Sequence, residues 1–168
     1  MTSPVRWGIL STAKIGLTKV IPGMRKSERL TVAAIASRSL PAAQAAATAL
    51  GIAQAHGSYE ALLADPDIEA IYNPLPNHLH VPMTLAAARA GKHVLCEKPM
   101  ALRAADLEVL RPYAHLVHLH EAFMVRHHPQ WIGTRDLVRQ GAIGELRYVQ
   151  VPFSYFNADP ANIRNQAD

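Results

Sequence analysis

The chain has 168 residues, a length that suits one domain, or one domain and the start of another. Its 49% hydrophobic and 18% charged residues exclude a disordered chain, and no apolar stretch reaches the ~18 residues of a membrane span. The single cysteine, Cys96, excludes a disulfide scaffold, and a net charge of +4 with mostly scattered cations does not favour nucleic acid, so we expect a cytoplasmic, globular protein with no membrane partner.

Short apolar runs alternate with helix-like stretches along the first 121 residues. The predicted strands cover residues 5–10, 30–37, 70–72, 93–96 and 117–120. The predicted helices cover residues 14–25, 41–50, 59–64, 81–90 and 102–114, and Ser58 is the expected N-cap of the third helix. This rhythm is typical of right-handed βαβ units, so we predict an α/β domain over residues 1–121, a doubly wound parallel sheet covered on both faces.

The pattern changes after residue 121. We predict a helix over residues 131–140, a turn around Gly141 and Gly144, a strand over residues 147–156 with alternating apolar side chains, and a polar ending over residues 157–168. Residues 122–168 therefore look like the beginning of an incomplete α+β domain. An unpaired apolar strand is a template for pairing, so we expect the strand over 147–156 to drive assembly into a homo-oligomer.

The turn after the first strand has the spacing of a phosphate-binding loop. Ser11, Ala13 and Gly16 occupy the positions of the three glycines in G-x-G-x-x-G. Small residues there let backbone amides approach a pyrophosphate, and the following helix adds positive potential at its N-terminus. Because only Gly16 is a glycine, an ordinary strand-to-helix turn remains an alternative.

The end of the second strand favours NADP(H) over NAD. NAD-binding folds usually place an acidic residue there to bind the ribose 2′-hydroxyl, and this sequence has none between Glu28 and Glu60. Instead, the strand ends in Ser37-Arg38-Ser39, and an arginine flanked by hydroxyls suits a 2′-phosphate. The alternative is a solvated arginine in a turn. Together with the small-residue turn, this segment predicts NADP as the cofactor.

Two further strings follow predicted strands: residues 71–80, Ile-Tyr-Asn-Pro-Leu-Pro-Asn-His-Leu-His, and the tripeptide Glu97-Lys98-Pro99. With residues 7–16 and 121–129, they closely resemble the family of glucose–fructose oxidoreductase, inositol dehydrogenase and rhizopine-catabolism proteins (Gfo/Idh/MocA). The resemblance is nearest to the dihydrodiol and xylose-type dehydrogenase branch. It covers essentially the whole chain, and the Glu-Lys-Pro tripeptide is its most specific mark.

The resemblance implies an N-terminal Rossmann domain and a role for each matching residue. The Lys98–Pro99 bond resembles one that is often cis in the family. The implied contacts are Ser11, Thr12, Ala13, Lys14 and Ile15 for the pyrophosphate; Ser37 and Arg38 for the adenosine phosphate; Asn73, Pro74, Leu75 and His78 along the nicotinamide; Glu97 and Lys98 beside nicotinamide and substrate; and Arg126 near the cofactor.

The chemistry of the family gives Lys98 its expected role. Hydride transfer between an alcohol carbon and nicotinamide requires a proton to move at the hydroxyl oxygen, and a desolvated lysine can move it or polarise the oxygen. We therefore expect Lys98 to be catalytic, with Glu97 orienting it, on a sugar-like or polyol substrate. We expect no metal, because no cysteine or carboxylate lies at ligand spacing from the nine histidines except Glu121, beside His120.

Members of this family are longer, and their second half supplies acid, histidine or tyrosine side chains that complete the catalytic group. The sequence is thus expected to be the cofactor-binding half of an NADP-dependent oxidoreductase, inactive on its own. The alternative is a catalytically silent NADP(H)-binding module, or a shortened gene product, that acts only by binding or association.

Overall fold

Six short strands form one parallel sheet in the computed structural model, which describes residues 3–160. The order across the sheet is β3-β2-β1-β4-β5-β6, which is that of the doubly wound dinucleotide-binding fold. The predicted α/β class is therefore confirmed, and only β3 was missed. The strands are β1 (Val5–Leu10), β2 (Leu30–Ala36), β3 (Gln54–His56), β4 (Ala70–Asn73), β5 (His93–Cys96) and β6 (Leu119–Glu121).

The helices connect successive strands, as the alternating pattern predicts. The first begins as a π-helical turn, Gly16–Val20, and runs directly into α1, Ile21–Met24. The segment predicted as a helix over residues 102–114 is a 3-10 helix, Ala104–Tyr113, with Pro112 inside it. The remaining helices of this part of the chain are α2 (Leu40–Leu50), α3 (Tyr59–Ala64), α4 (His80–Arg89) and the short 3-10 segment Asn77–Leu79.

Both faces of the sheet carry a hydrophobic cluster, because successive strand residues point to opposite faces. Leu10 belongs to one cluster, with Leu62 of α3 and Ala87 of α4. Its neighbour Ile9 belongs to the other cluster, with Ile21 of α1 and alanines of α2. Burial on both faces explains why the strands read as continuous apolar runs rather than as alternating ones.

Local signals in the sequence fix the ends of the connecting helices. The hydroxyl of Ser39 accepts a hydrogen bond from the Ala42 amide at 3.4 Å at the start of α2. That helix ends at Gly51, whose φ of 57° lies in the left-handed region that favours glycine. Ser58 caps α3 as predicted, since its hydroxyl accepts a hydrogen bond from the Ala61 amide at 3.1 Å.

The chain divides into two units, Met1–Met124 and Val125–Asp168, and the second is described by itself. It contains α5, Pro129–Arg139, followed by the expected glycine turn, with φ of 77° at Gly141 and 69° at Gly144. Part of the predicted second domain, residues 161–168, lies outside the described residues. Among the helices of residues 3–160, none has the length and apolar character needed to cross a bilayer.

The prediction of a strand over residues 147–156 is wrong. No strand is present there, and its aromatic side chains are exposed, by 77% at Tyr148 and 85% at Phe153. An alternating pattern makes a segment suitable for a sheet, but a strand also requires a hydrogen-bonded neighbour. No segment of residues 3–160 supplies that neighbour.

The cap of α3 gives a direct test of the fold. Replacing Ser58 with alanine removes the acceptor for the Ala61 amide, so we expect the free energy of unfolding to fall by about 1 kcal/mol. Urea denaturation measures this change. Ser58→Asp keeps an acceptor at the same position and should retain most of the stability. Equal losses in both variants would contradict the capping role.

Candidate functional site

The carboxyl ends of the strands bring the predicted site residues of the first unit, Met1–Met124, to one edge of the sheet. Chain connections reverse direction between β1 and β4, and in open α/β sheets ligands bind outside the strands at such a switch point. The turns after β1, β2, β4 and β5 all end at this edge, because the strands are parallel. The motifs at residues 7–16, 71–80 and 97–99 therefore meet at this edge.

The turn after β1 is held in an unusual backbone conformation by Ser11. Its φ is 78°, and among the described residues it is the one non-glycine residue with a positive φ. Its amide donates to the carbonyl of Ala36 at 2.9 Å, and its hydroxyl accepts from the Ala13 amide at 3.2 Å. Residues 14–24 are helical without a break, so the first amides of that helix, around Lys14 and Ile15, lie just after the turn with no intrahelical partner. This arrangement suits an anion.

The helix start packs directly on the strand that follows the switch point. A Cβ placed on Gly16 would lie 3.6 Å from the Tyr72 ring and 3.7 Å from Pro74, which is ordinary van der Waals contact. The phosphate-type turn and the β4 loop are therefore neighbours.

Ser37 and Arg38 follow β2 at the same edge. The Ser37 amide donates to the carbonyl of His56 at 3.1 Å, and its hydroxyl accepts from the Ser39 amide at 3.3 Å, which fixes the turn. The Arg38 side chain is exposed and, within residues 3–160, takes part in no ion pair. The bond between Ser11 and Ala36 holds this turn next to the phosphate-type turn. A guanidinium is thus available to an anion beside the first turn.

The side chain of Asn73, predicted to contact the cofactor, is used inside the protein. It is fully buried, and its amide nitrogen donates to the His80 carbonyl at 3.2 Å and to the Thr84 hydroxyl at 3.3 Å. Its side-chain oxygen accepts from the Leu75 amide at 3.3 Å. Asn73 therefore fixes the β4 loop against α4. Pro74 and Leu75 are buried in that loop and His78 is exposed, so His78 alone of these presents a side chain freely to solvent.

His80 is a structural residue of the site that the sequence analysis did not single out. Its ring is 1% exposed, with Nε2 2.7 Å from the Leu75 carbonyl and Nδ1 2.6 Å from the Pro99 carbonyl. A carbonyl oxygen only accepts, so a ring nitrogen that carries hydrogen donates to the carbonyl that it faces. His80 thereby joins the loop after β4 to the loop after β5. Its place inside the 71–80 string was the only signal in the sequence.

The Glu97-Lys98-Pro99 loop is anchored from three strands or helices. The Glu97 amide donates to the Asn73 carbonyl at 2.9 Å, and His80 binds the Pro99 carbonyl. The Met100 amide donates to the Glu121 carboxylate, at the end of β6, at 2.9 Å. The Lys98–Pro99 bond is cis, as the resemblance implied.

Tyr72 holds the carboxylate of Glu97. The fully buried Tyr72 hydroxyl donates to Glu97 Oε1 at 2.8 Å, while Oε2 accepts from the Lys98 backbone amide at 3.3 Å. Burial, followed by the bond to Glu97, raises the pKa of Tyr72 well above its usual range, so the phenol stays neutral and donates. No pattern in the sequence predicts this role, because a tyrosine within an apolar strand is typical of a core residue.

The remaining candidates are the single cysteine, Cys96, and Arg126, which the resemblance places near the cofactor. Cys96 is buried at the end of β5, and burial raises the pKa of its thiol to about 11, so it is a small core residue rather than a nucleophile. Arg126 is exposed and lies in the second unit, so its contact with the cofactor stays a prediction. Among residues 3–160, no three histidine, cysteine or acidic side chains form a group that could hold a metal ion.

Known proteins share the sequence pattern and the fold of this chain. The model of the Gfo/Idh/MocA oxidoreductase family, with an NAD-binding Rossmann fold, matches residues 5–127. The chain belongs to this family. The chain is 52% identical to an uncharacterized oxidoreductase of Rhizobium meliloti (97% of this chain, 49% of that protein) and 46% identical to the D-xylose 1-dehydrogenase (NADP(+)) 2 of Haloferax volcanii (93% and 48%). The xylose dehydrogenase lies in the branch that the motifs predicted.

A solved structure shows the same fold. KijD10, a 3-ketoreductase from Actinomadura kijaniata crystallised with TDP-benzene and NADP, matches with a TM-score of 0.78 and 37% identity over 84% of this chain and 45% of that one. The chain thus spans about half the length of the relatives and of the structure that it matches.

The position of His80 predicts a large stability effect. Replacing it with alanine removes the ring that contacts the carbonyls of Leu75 and Pro99 and opens a cavity, so we expect the free energy of unfolding to fall by about 2 to 4 kcal/mol. Urea denaturation measures the loss. His78→Ala, two residues earlier and exposed, should change stability by less than about 0.5 kcal/mol. Equal changes in the free energy of unfolding of the two variants would show that the contacts of His80 do not stabilise the fold.

Proposed function

We propose that this chain is the cofactor-binding part of an NADP-dependent oxidoreductase that transfers hydride at a sugar-like or polyol carbon. The observation that carries this proposal is the order of the candidate groups across the sheet. Arg38 follows β2, the Ser11 turn follows the adjacent β1, and the Glu97-Lys98-Pro99 loop follows β5, one strand beyond β4. That order matches the sequence of parts in NADP: the 2′-phosphate of the adenosine, the pyrophosphate and the nicotinamide.

The residues at this edge fit such a cofactor. The left-handed Ser11 and the helix start at Lys14 present backbone amides where a pyrophosphate would bind. Arg38 would bind the 2′-phosphate by charge-assisted hydrogen bonds, and no acidic residue follows β2 to repel it. The absence of that acidic residue favours NADP over NAD. The NADP in the KijD10 crystals and in the name of the xylose dehydrogenase supports the same choice.

Lys98 is the residue that we propose acts on the substrate. When bound, the nicotinamide supplies or accepts the hydride. The Lys98 side chain is exposed at the site edge rather than desolvated as expected, and among the described residues its ammonium takes part in no ion pair. It can therefore donate a hydrogen bond to the substrate oxygen and hold or release a proton there. Glu97 accepts hydrogen bonds from the Tyr72 hydroxyl and the Lys98 backbone amide, which hold the loop that carries Lys98.

The substrate class is inferred from relatives and from the chemistry of Lys98. One relative is named as a dehydrogenase of D-xylose, and KijD10 is described as a 3-ketoreductase. Both names describe carbonyl or hydroxyl chemistry on a small molecule. A lysine that polarises one oxygen is suited to this chemistry, so we propose a sugar-like or polyol substrate.

Self-association through the second unit is also proposed. Residues 146–156 present apolar side chains to solvent, and Phe153 and Phe156 are 85% and 93% exposed. Exposed apolar segments of this kind mark protein–protein contacts. Another copy of the chain can cover this segment and supply the strand neighbour that it lacks among the described residues.

Cofactor binding is tested by titrating the purified chain with NADPH and NADH and following fluorescence. We expect saturable binding that favours NADPH. In Arg38→Ala, the affinity for NADPH should fall about 10- to 100-fold, because a charge-assisted contact with the 2′-phosphate is lost, while NADH binding changes little.

Arg25→Ala is the matched control, because Arg25 is an exposed arginine at the far end of α1. It should leave both affinities unchanged. If Arg38→Ala weakened NADPH and NADH equally, Arg38 would not read the 2′-phosphate. If neither dinucleotide bound, the proposed function would be wrong for this chain.

Light scattering across a range of protein concentrations tests the self-association. We expect species larger than the monomer, and the double variant Phe153→Lys/Phe156→Lys should shift them towards monomer because it places charges on the apolar segment. Leu102→Lys, at an apolar residue that is 64% exposed in the first unit, should have no such effect. A wild-type chain that stays monomeric at every concentration would contradict the proposal.

A further inference from the structure

Tyr72 lies beneath both halves of the candidate site. Its ring is fully buried in the cluster that contains Ile9 and Ile35, on the sheet face covered by α1 and α2. The same ring lies 3.6 Å from the position that a Cβ on Gly16 would take, at the start of the helix after the phosphate-type turn. Its hydroxyl reaches the other way, to Glu97 in the loop after β5. One side chain therefore lies next to the segment that we assign to the pyrophosphate and binds the segment that we assign to the nicotinamide.

The hydrogen bond to Tyr72 decides where the carboxylate of Glu97 lies. Tyr72 donates to Oε1 and the Lys98 backbone amide donates to Oε2, so each oxygen is held by one donor. A carboxylate beside a lysine in sequence would otherwise be free to turn towards that ammonium. In this structure the Glu97 carboxylate does not turn that way, and no ion pair joins Glu97 and Lys98.

The electrostatic consequence falls on Lys98. A carboxylate in contact with an ammonium stabilises the charged form and occupies its hydrogen-bond donors. An amine that must act on a substrate oxygen needs those donors free. The hydrogen bond from Tyr72 keeps the Glu97 carboxylate in the loop, where it binds the Lys98 backbone amide. The Lys98 ammonium forms no ion pair with it.

We propose that Tyr72 is a positioning residue, whose hydroxyl holds the Glu97 carboxylate away from the Lys98 ammonium and so keeps Lys98 available to the ligands. The inference rests on the proposed function, because it assigns Tyr72 a role in the site where Lys98 acts. The Glu-Lys-Pro tripeptide does not predict this role, because it does not indicate which residue elsewhere in the chain binds its carboxylate.

Competitive labelling of lysine amines tests the proposal without any cofactor. The full chain reacts with trace acetic anhydride, and mass spectrometry compares labelling of Lys98 with that of Lys26, an exposed lysine that serves as internal reference. In Tyr72→Phe the carboxylate is released to pair with Lys98, so relative labelling of Lys98 should fall about two- to fivefold, the range expected for an exposed ion pair.

Three further variants separate this effect from a general disturbance. In Tyr72→Phe/Glu97→Gln there is no carboxylate to pair with Lys98, so labelling should return to the level of Glu97→Gln alone. Tyr113→Phe removes a hydroxyl that lies 3.3 Å from Arg89 Nε, outside the site, and should leave Lys98 unchanged. Unchanged labelling in Tyr72→Phe, or an equal fall in the double variant, would overturn the proposal.

Adding NADPH to the same assay distinguishes this inference from the proposed function. Saturating NADPH should protect Lys98 in the wild-type chain, and Tyr72→Phe should bind NADPH about 3- to 10-fold more weakly, without extra loss when Glu97→Gln is also present. Absence of protection in the wild type would contradict the proposed function. The labelling of cofactor-free Tyr72→Phe would still decide the role of Tyr72.

Discussion

The parallel pairing of β4, with β1 on one side and β5 on the other, is the constraint on which the candidate site depends. Because the three strands run in the same direction, their carboxyl ends, and the turns that follow them, share one edge. The pairing also sets the register that places Asn73 opposite Cys96, so the Asn73 carbonyl meets the Glu97 amide. A different register would separate the tyrosine hydroxyl from the carboxylate that it binds.

The site combines buried polar side chains that hold its loops with exposed cationic side chains that are available to ligands. Three buried side chains use their polar atoms to hold the loops: Asn73 binds α4 and its own loop, Tyr72 binds the loop after β5, and His80 contacts both loops. By contrast, the side chains of Arg38 and Lys98 are exposed. Buried polar groups must be hydrogen-bonded, so this division makes the loops rigid while leaving the cations free for ligands. Rigid support of this kind keeps the conformational rearrangement on binding small.

The sequence predicted most of the sheet, because strands buried on both faces read as apolar runs and serines and glycines mark the ends of helices. It missed β3, whose three residues, Gln54–His56, are only half-buried and carry too weak a pattern. It also missed the loop-anchoring roles of Tyr72 and His80, because a buried residue that anchors a loop looks the same in the sequence as one that only fills the core. The strand at 147–156 failed for a different reason, since pairing depends on a partner that no local pattern encodes.

The turn after β1 shows how loosely a glycine pattern can describe a binding loop. At the first position of the pattern, Ser11 takes the left-handed conformation and uses its hydroxyl to bind the Ala13 amide, which glycine cannot do. At the third position, Gly16 has room for a methyl group at ordinary contact distance. In this turn, hydrogen bonds of Ser11 therefore hold the backbone shape that a glycine would otherwise adopt. Searches that demand three glycines will overlook loops built in this way, whereas searches for the shape and its hydrogen bonds will find them.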